Sequence, residues 1–171
     1  TPNRGDCFSH IGIAREIAIL ENSKIKSNNI KIVESKELTK DNIRIHIDDL
    51  SACSKYTARI IKGIKVGPSP NWLKLSIESV GLKSVNNIVD AANYVMLDTG
   101  QPMHTFDLNN IEGQEIHVRF AKEKEKITLL DGNKVKLKKH HLLITDKFKP
   151  IALAGVMGSL DSAISTETTD I

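Results

Sequence analysis

The chain has 171 residues, 40% of them hydrophobic, and a formal net charge of +3. That length suits one globular domain, or one with a small extension, and the charge is too mild to announce nucleic acid by itself. No apolar run approaches the length that spans a bilayer, so no membrane association is expected. The sequence opens Thr1-Pro2-Asn3-Arg4, with no initiator Met, signal-like segment or basic transit pattern, and reads as a piece of a longer polypeptide. Cys7 and Cys53 stand far apart without CxxC spacing. This argues against a disulfide framework or a zinc ribbon and fits a reducing, cytoplasmic compartment.

Asp6 or Ser9 is placed to cap a first helix, with Phe8, Ile11, Ala14, Ile17, Ala18 and Leu20 as its apolar face. Residues 21–42 are polar and read as a connector or variable insertion. Ile43-Arg44-Ile45-His46-Ile47 alternates as a half-buried strand does, and the β-branched stretch 56–66 predicts a second. Ser69 is positioned to cap a helix with Pro70 at its first position; Gly81 can end it. A further helix is expected over about 86–97, then an extended segment over 103–107. The remainder is strand-like. Residues 115–121 alternate, 127–130 and 135–137 flank an Asp131-Gly132-Asn133 turn, and 142–146 and 151–158 are apolar runs typical of buried strands. Helix, strands, two helices and a long β-rich half predict an α+β fold, with mixed sheets layered against about three helices.

One stretch concentrates polar groups where a core would not. Asn86, Asn87, Asp90 and Asn93 interrupt an apolar helical segment, and Gly100-Gln101-Pro102-Met103-His104 follows it. Such groups form either a bonded network or a site. Asn86 and Asn87 can cap the helix, and Asp90 can bond first-turn amides. Asn93 lies a little under one turn beyond Asp90, facing a similar direction, and mid-helix asparagine has no propensity reason to be there. His104 is either a satisfied structural residue or a binding or acid–base group whose tautomer Asp107 fixes.

Other chemistries lack their residues. The six histidines form no HxxxH or HxxEH pair, so no metal site is expected. There is no GxSxG elbow, and Cys7 beside the first helix reads as core. Gly155-Val156-Met157-Gly158 has neither a following Lys-Ser/Thr nor GxGxxG spacing. It is a strand end turning tightly, a wall where a ligand approaches backbone amides, or both. Lys134, Lys136, Lys138, Lys139, His140 and His141, preceded by Lys122, Lys124 and Lys126, read first as a solvated hairpin and alternatively as a phosphate-facing patch.

Several motifs occur in order: Thr1-Pro2-Asn3-Arg4-Gly5-Asp6, Gly12-Ile13-Ala14-Arg15-Glu16, Pro68-Ser69-Pro70-Asn71-Trp72-Leu73, Asn86-Asn87-Ile88-Val89-Asp90, Asn93-Tyr94-Val95-Met96-Leu97, Gly100-Gln101-Pro102-Met103-His104, Leu129-Leu130-Asp131-Gly132 and Ala152-Leu153-Ala154-Gly155-Val156-Met157-Gly158. Together they resemble the editing domain of bacterial phenylalanyl-tRNA synthetase β subunits, over nearly the whole chain apart from 21–42. The resemblance implies that residues 1–171 are a single editing domain of sandwich-like mixed sheets within a cytoplasmic α2β2 synthetase. That synthetase uses ATP and Mg²⁺ in its other subunit; this fragment itself needs no cofactor. The expected substrate is tRNA(Phe) carrying tyrosine, which the domain hydrolyses. A hydrophobic phenylalanine pocket rejects an added hydroxyl only about a hundredfold, so a second site with the opposite test is needed.

Carried over by motif, His104 and Asn93 are the catalytic pair, orienting the ester, the ribose hydroxyls or the attacking water. Ala92, Ala154, Gly155 and Gly158 line the substrate, with amides near Gly155 stabilising the oxyanion. Many family members carry Thr where Ala92 stands and Gly where Ser159 stands, and a glutamate beyond the position of Ile171 is thought to read the tyrosine hydroxyl. The rival expectation is a non-catalytic tRNA-binding or scaffold module of the same subunit. A free-standing trans-editing protein is a third.

Overall fold

The computed structural model describes residues 2–26 and 30–171. Residue 1 of the first motif and residues 27–29 of the expected connector lie outside the described residues. In chain order the regular elements are α1 (His10–Leu20), α2 (Thr39–Asn42), β1 (Arg44–Ile47), α3 (Asn71–Ser79), α4 (Asn87–Thr99), β2 (Glu115–Phe120), β3 (Lys126–Thr128), β4 (Lys134–Lys136), β5 (Leu142–Thr145), β6 (Pro150–Leu153) and β7 (Met157–Gly158). The fold is mixed α+β, as expected. The one-turn α2, inside the connector, is the helix that the sequence pattern did not signal. The chain divides into two compact units: Thr1–Glu34 with Val66–Thr105, and Ser35–Lys65 with Phe106–Ile171.

The first unit is helical. Of the two candidate caps for α1, Ser9 serves: its Oγ accepts from the Gly12 N–H at 3.0 Å. Of the expected apolar face of α1, Ile11, Ala14 and Ala18 are half-buried, while Phe8, Ile17 and Leu20 are 64%, 53% and 82% exposed. The helix is most closely packed at its small, polar beginning. Gly12 is its buried residue, and His10 Nδ1 donates to the Leu97 carbonyl at 3.1 Å. Before α3 the pattern slips by one residue. Pro70 is the N-cap and Asn71 the first helical residue, because the Ser69 hydroxyl is drawn to Asp90. The end of α3 is a Schellman motif: Leu82 N–H donates to Ile77 O and Gly81 N–H to Glu78 O, with Gly81 at φ 83°. Leu73 and Ile77 are its buried residues, and full burial of one such side chain stabilises by about 1.5–3 kcal/mol.

The second unit is built on a five-stranded sheet of order β1-β2-β5-β6-β7. β1 pairs with β2 in parallel, and the other neighbours are antiparallel. Alternation places Ile116 and Val118 inward, each 2% exposed. Consecutive residues of β5 serve opposite faces. Ile144 packs on a cluster of Ile43, Phe106, Ile111, Ile116, Ile151 and Ala152. Leu143 joins Ala121, Ile127, Leu129 and Leu137, which seat the β3–β4 hairpin against the sheet. The Asp131-Gly132-Asn133 turn forms as expected, with Gly132 at φ 83°.

Two strand expectations need correction. Residues 56–66 form no strand, because Gly63 bends the chain at φ 69°. Ile61 exchanges two backbone bonds with Ile171, and Ile64 N–H donates to Thr169 O, so this stretch is tied to the C-terminal segment without a continuous ladder. The apolar run 151–158 is two strands, β6 and β7, separated by a turn at residues 154–156.

Candidate functional site

In the first unit, the polar cluster of α4 separates into structural and unengaged members. Asn86 caps the helix, its Oδ1 accepting from the Ile88 and Val89 N–H groups at 3.0 and 2.9 Å. Asn87 Oδ1 accepts from Gly67 N–H at 3.0 Å, fastening the loop before α3. Asp90 is fully buried, but it does not bond the first-turn amides. It gathers the Ser69 and Ser84 hydroxyls, each at 2.5 Å, and the Val85 N–H at 2.9 Å. Burial opposes its charge, yet these three donors outweigh burial and hold the carboxyl below the usual carboxylate range.

Ala92 and Asn93 follow, both half-buried. The Asn93 amide finds no hydrogen-bonding partner among the described residues, and since no buried side-chain N or O is left unsatisfied, it reaches solvent. Gly100 ends α4 in the left-handed region at φ 79°, where an added Cβ would lie 3.3 Å from Ser9 Cβ. The chain then runs through Pro102, outside any helix or strand, to His104. More than a third of the His104 surface is open to solvent, but the surrounding protein desolvates its ring enough to lower its pKa from 6.5. Lowered by that desolvation, the pKa leaves the ring neutral at pH 7.

Asp107, expected to fix the His104 tautomer, is otherwise engaged within the second unit. Its Oδ1 accepts from Asn109 N–H at 3.0 Å and its Oδ2 from the Thr168 hydroxyl at 2.6 Å. The glycine run of the second unit forms the β6–β7 turn, closed by a Val156 N–H to Leu153 O bond at 3.0 Å. Gly155 has φ 70°, which a Cβ would strain, and open space lies where that Cβ would project. Of the amides around it, Ala154 N–H is committed to Leu142 O and Val156 N–H to Leu153 O. The Gly155 N–H has no backbone acceptor among the described residues, and Gly155 is exposed. Gly158 is buried in β7 opposite Ala152. Ser159 is also buried, its Oγ 3.0 Å from Ser162 Oγ, so its hydroxyl is satisfied internally.

A cleft of about 300 Å³ in the first unit is lined by His10, Ser76, Ser79, Val80, Tyr94, Leu97 and Asp98, and by none of the expected site residues. The lysines of the β3–β4 hairpin are exposed, and Lys126 stands directly across from Lys136. Sequence reasoning missed one cluster. His46 of β1 and His117 of β2 are register partners, and with Glu115 they place one ligand atom each within 4.8 Å of the others. A search for histidine spacing on helices could not find it; the signal was the alternation of His46, and of Glu115 with His117, on two strands.

A family model described as the B3/4 domain matches residues 52–171. The phenylalanine–tRNA ligase β subunit of Protochlamydia amoebophila is 46% identical over 171 residues, and that of Fusobacterium nucleatum 48%; each alignment covers all of this chain and 21% of the relative. The chain thus spans about a fifth of the length of the curated relatives it matches. A solved N-terminal fragment of the phenylalanyl-tRNA synthetase β subunit from Pyrococcus horikoshii shares its fold with a TM-score of 0.54 at 17% identity, covering 98% of this chain and 51% of that one.

Proposed function

The chain belongs to the B3/4 domain family, and on that premise we propose that it is a region of a phenylalanine–tRNA ligase β subunit that hydrolyses tyrosine misattached to tRNA(Phe). The observation that carries the reading is identity of 46–48% to β subunits so named, sustained across all 171 residues. The partners that follow are tRNA(Phe) and a synthetase α subunit, in a cytoplasmic enzyme. ATP and Mg²⁺ belong to that enzyme's ligation step. The residues here do not fit them: there is no phosphate loop, and the His46–Glu115–His117 cluster is imidazole-rich where Mg²⁺ prefers oxygen. No step is routed through either.

An aminoacyl ester is already activated, so a positioned water suffices and no side-chain nucleophile is required. In the proposed reaction His104, neutral at pH 7, accepts the proton of the attacking water as general base and returns it to the departing ribose oxygen as the ester C–O bond breaks, and the unengaged Asn93 amide orients the ester or ribose. In the first unit Ala92 lies beside Asn93 as a substrate-lining residue; within the second unit, Ala154, Gly155 and Gly158 are the other substrate-lining residues proposed, and the Gly155 N–H is a donor suited to a developing oxyanion. Deacylation of tyrosyl-tRNA(Phe) by the intact protein tests this. His104→Ala and Asn93→Ala are each expected to slow hydrolysis about a hundredfold, the lower range for positioned acid–base groups. Unchanged rates in both variants would sink these assignments. The second reading, a tRNA-binding scaffold without editing, is favoured by Ala92, which supplies no hydroxyl; absence of wild-type hydrolysis with retained tRNA binding would select it.

A further inference from the structure

We propose that His46, Glu115 and His117 form a binding site for one borderline divalent transition cation, of which Zn²⁺ is the reference, on the outer face of the β1–β2 strand pair. Three independent features converge. His46 and His117 are direct partners in a parallel register, so their backbones are held by the ladder rather than by loops. Their rings lie 4.5 Å apart at 18°, which keeps both imidazoles on one face. Glu115 precedes His117 by two residues, and alternation returns its carboxylate to the same face.

The distances suit a tetrahedral ion. With metal–ligand bonds of about 2.1 Å, tetrahedral ligand atoms stand about 3.4 Å apart. Glu115 Oε2 and His117 Nε2 are 3.4 Å apart, and the whole set lies within 4.8 Å, so a small rotation of the half-free His46 ring completes the triad. Asp48 Oδ1 is 3.9 Å from His117 Nδ1, the nitrogen left over when Nε2 binds metal. A carboxylate there orients a ligating imidazole. Water would complete the fourth position. Two imidazoles and one carboxylate favour Zn²⁺, Co²⁺ or Ni²⁺ over Mg²⁺. Arg44, opposite Glu115, and Lys147 nearby moderate the affinity without occupying the ligand atoms. As a plain exposed ion pair, Glu115 and His117 would contribute little to stability. As a metal site, they clamp the edge strand β1 to its ladder neighbour β2.

The test is calorimetric titration of the intact, metal-free protein with ZnCl₂ and with MgCl₂, alongside thermal unfolding and Co²⁺ absorption. The expected result is one equivalent of Zn²⁺, no Mg²⁺ binding, and tetrahedral Co²⁺ bands. A Tm rise of about 5–10 °C is expected at a hundred times the Kd. His46→Ala and His117→Ala, both at surface positions compatible with folding, should abolish these effects. Asp48→Asn should weaken binding about tenfold. Binding that survives both histidine variants, binding lost instead in a His140→Ala/His141→Ala variant, or no binding below millimolar Zn²⁺ would overturn the proposal.

Discussion

Asp90 shows how one carboxylate can organise a helix pair without touching a ligand. It is 0% exposed and accepts three hydrogen bonds, from Ser69, Ser84 and Val85. Asp90→Asn keeps the shape but turns an acceptor-only group partly into a donor facing donors, and should cost about 2–3 kcal/mol in urea unfolding at pH 7. The folded carboxyl lies below its ordinary 3.8, so its contribution is present above that value and fades as pH falls through the folded one. The stability gap between wild type and Asp90→Asn should therefore be constant from pH 5 to 8 and narrow below about pH 4. Gly12 makes a different point. A Cβ there would lie 1.7 Å from the Asp6 carbonyl oxygen. Helix propensity favours Ala over Gly by about 1 kcal/mol, but overpacking against backbone costs about 1–3. Gly12→Ala is thus expected to lower Tm by a few degrees, the reverse of the usual surface-helix result.

At the scale of elements, the β3–β4 hairpin is held by an ion pair that the Lys-Glu alternation of 122–126 concealed. Arg119 grips Glu125 with two bonds, Nη1 to Oε2 at 3.0 Å and Nη2 to Oε1 at 2.6 Å, and Lys122 N–H adds a third at 2.6 Å. Arg119 first, against some burial, holds the Glu125 carboxyl below its usual range. Both side chains are mostly covered. Arg119→Ala should destabilise by about 2–3 kcal/mol, and Arg119→Lys should restore only part, because an ammonium cannot form the fork. Protection of the Ile127 and Val135 amides in hydrogen exchange reports the hairpin directly. The same elements show what a sequence exposes. The alternation of Ile116 and Val118, the Asn86 cap and the Asp131-Gly132-Asn133 turn were legible because each rests on neighbours in the chain. The stretch 56–66 was misread because β-branched composition signals extension but not the Gly63 bend or the partner at Ile171. The apolar face of α1 was read too wide, covering Ile11, Ala14 and Ala18 but not Phe8, Ile17 and Leu20, because periodicity marks a stripe but not how much of it packs. Of the candidate site, the polar residues themselves were visible. Which were already satisfied, as Asp90 and Asp107 are, depended on Ser84 across a short turn and on Ser69 and Thr168, 21 and 61 residues away.

At the scale of the whole molecule, the chemistry proposed for His104 is tested by pH. His104 titrates below 6.5. If its neutral ring is the base, tyrosyl-tRNA(Phe) deacylation should hold a plateau from pH 6.5 to 8 and fall as the ring protonates at lower pH; His104→Ala should lose that inflection. The fold also carries the same sign: the protonated ring is disfavoured in the folded state, so this group withdraws stability as pH drops below 6.5.

β1 is joined in parallel to β2, Arg44 facing Glu115, while the whole of Val66–Thr105 belongs to the other unit. Its consequence lies in time rather than space. During synthesis Ile43 to Ile47 leave the ribosome long before their partner strand exists, and a complete helical segment must be made in between. Pairings so distant in sequence close late, after loop entropy has been overcome. Pulse-labelled hydrogen exchange during refolding should find the β5–β6 amides protected first and those of β1 last. Until then the nascent strand is the stretch most exposed to wrong partners, and the one a chaperone would have most reason to hold.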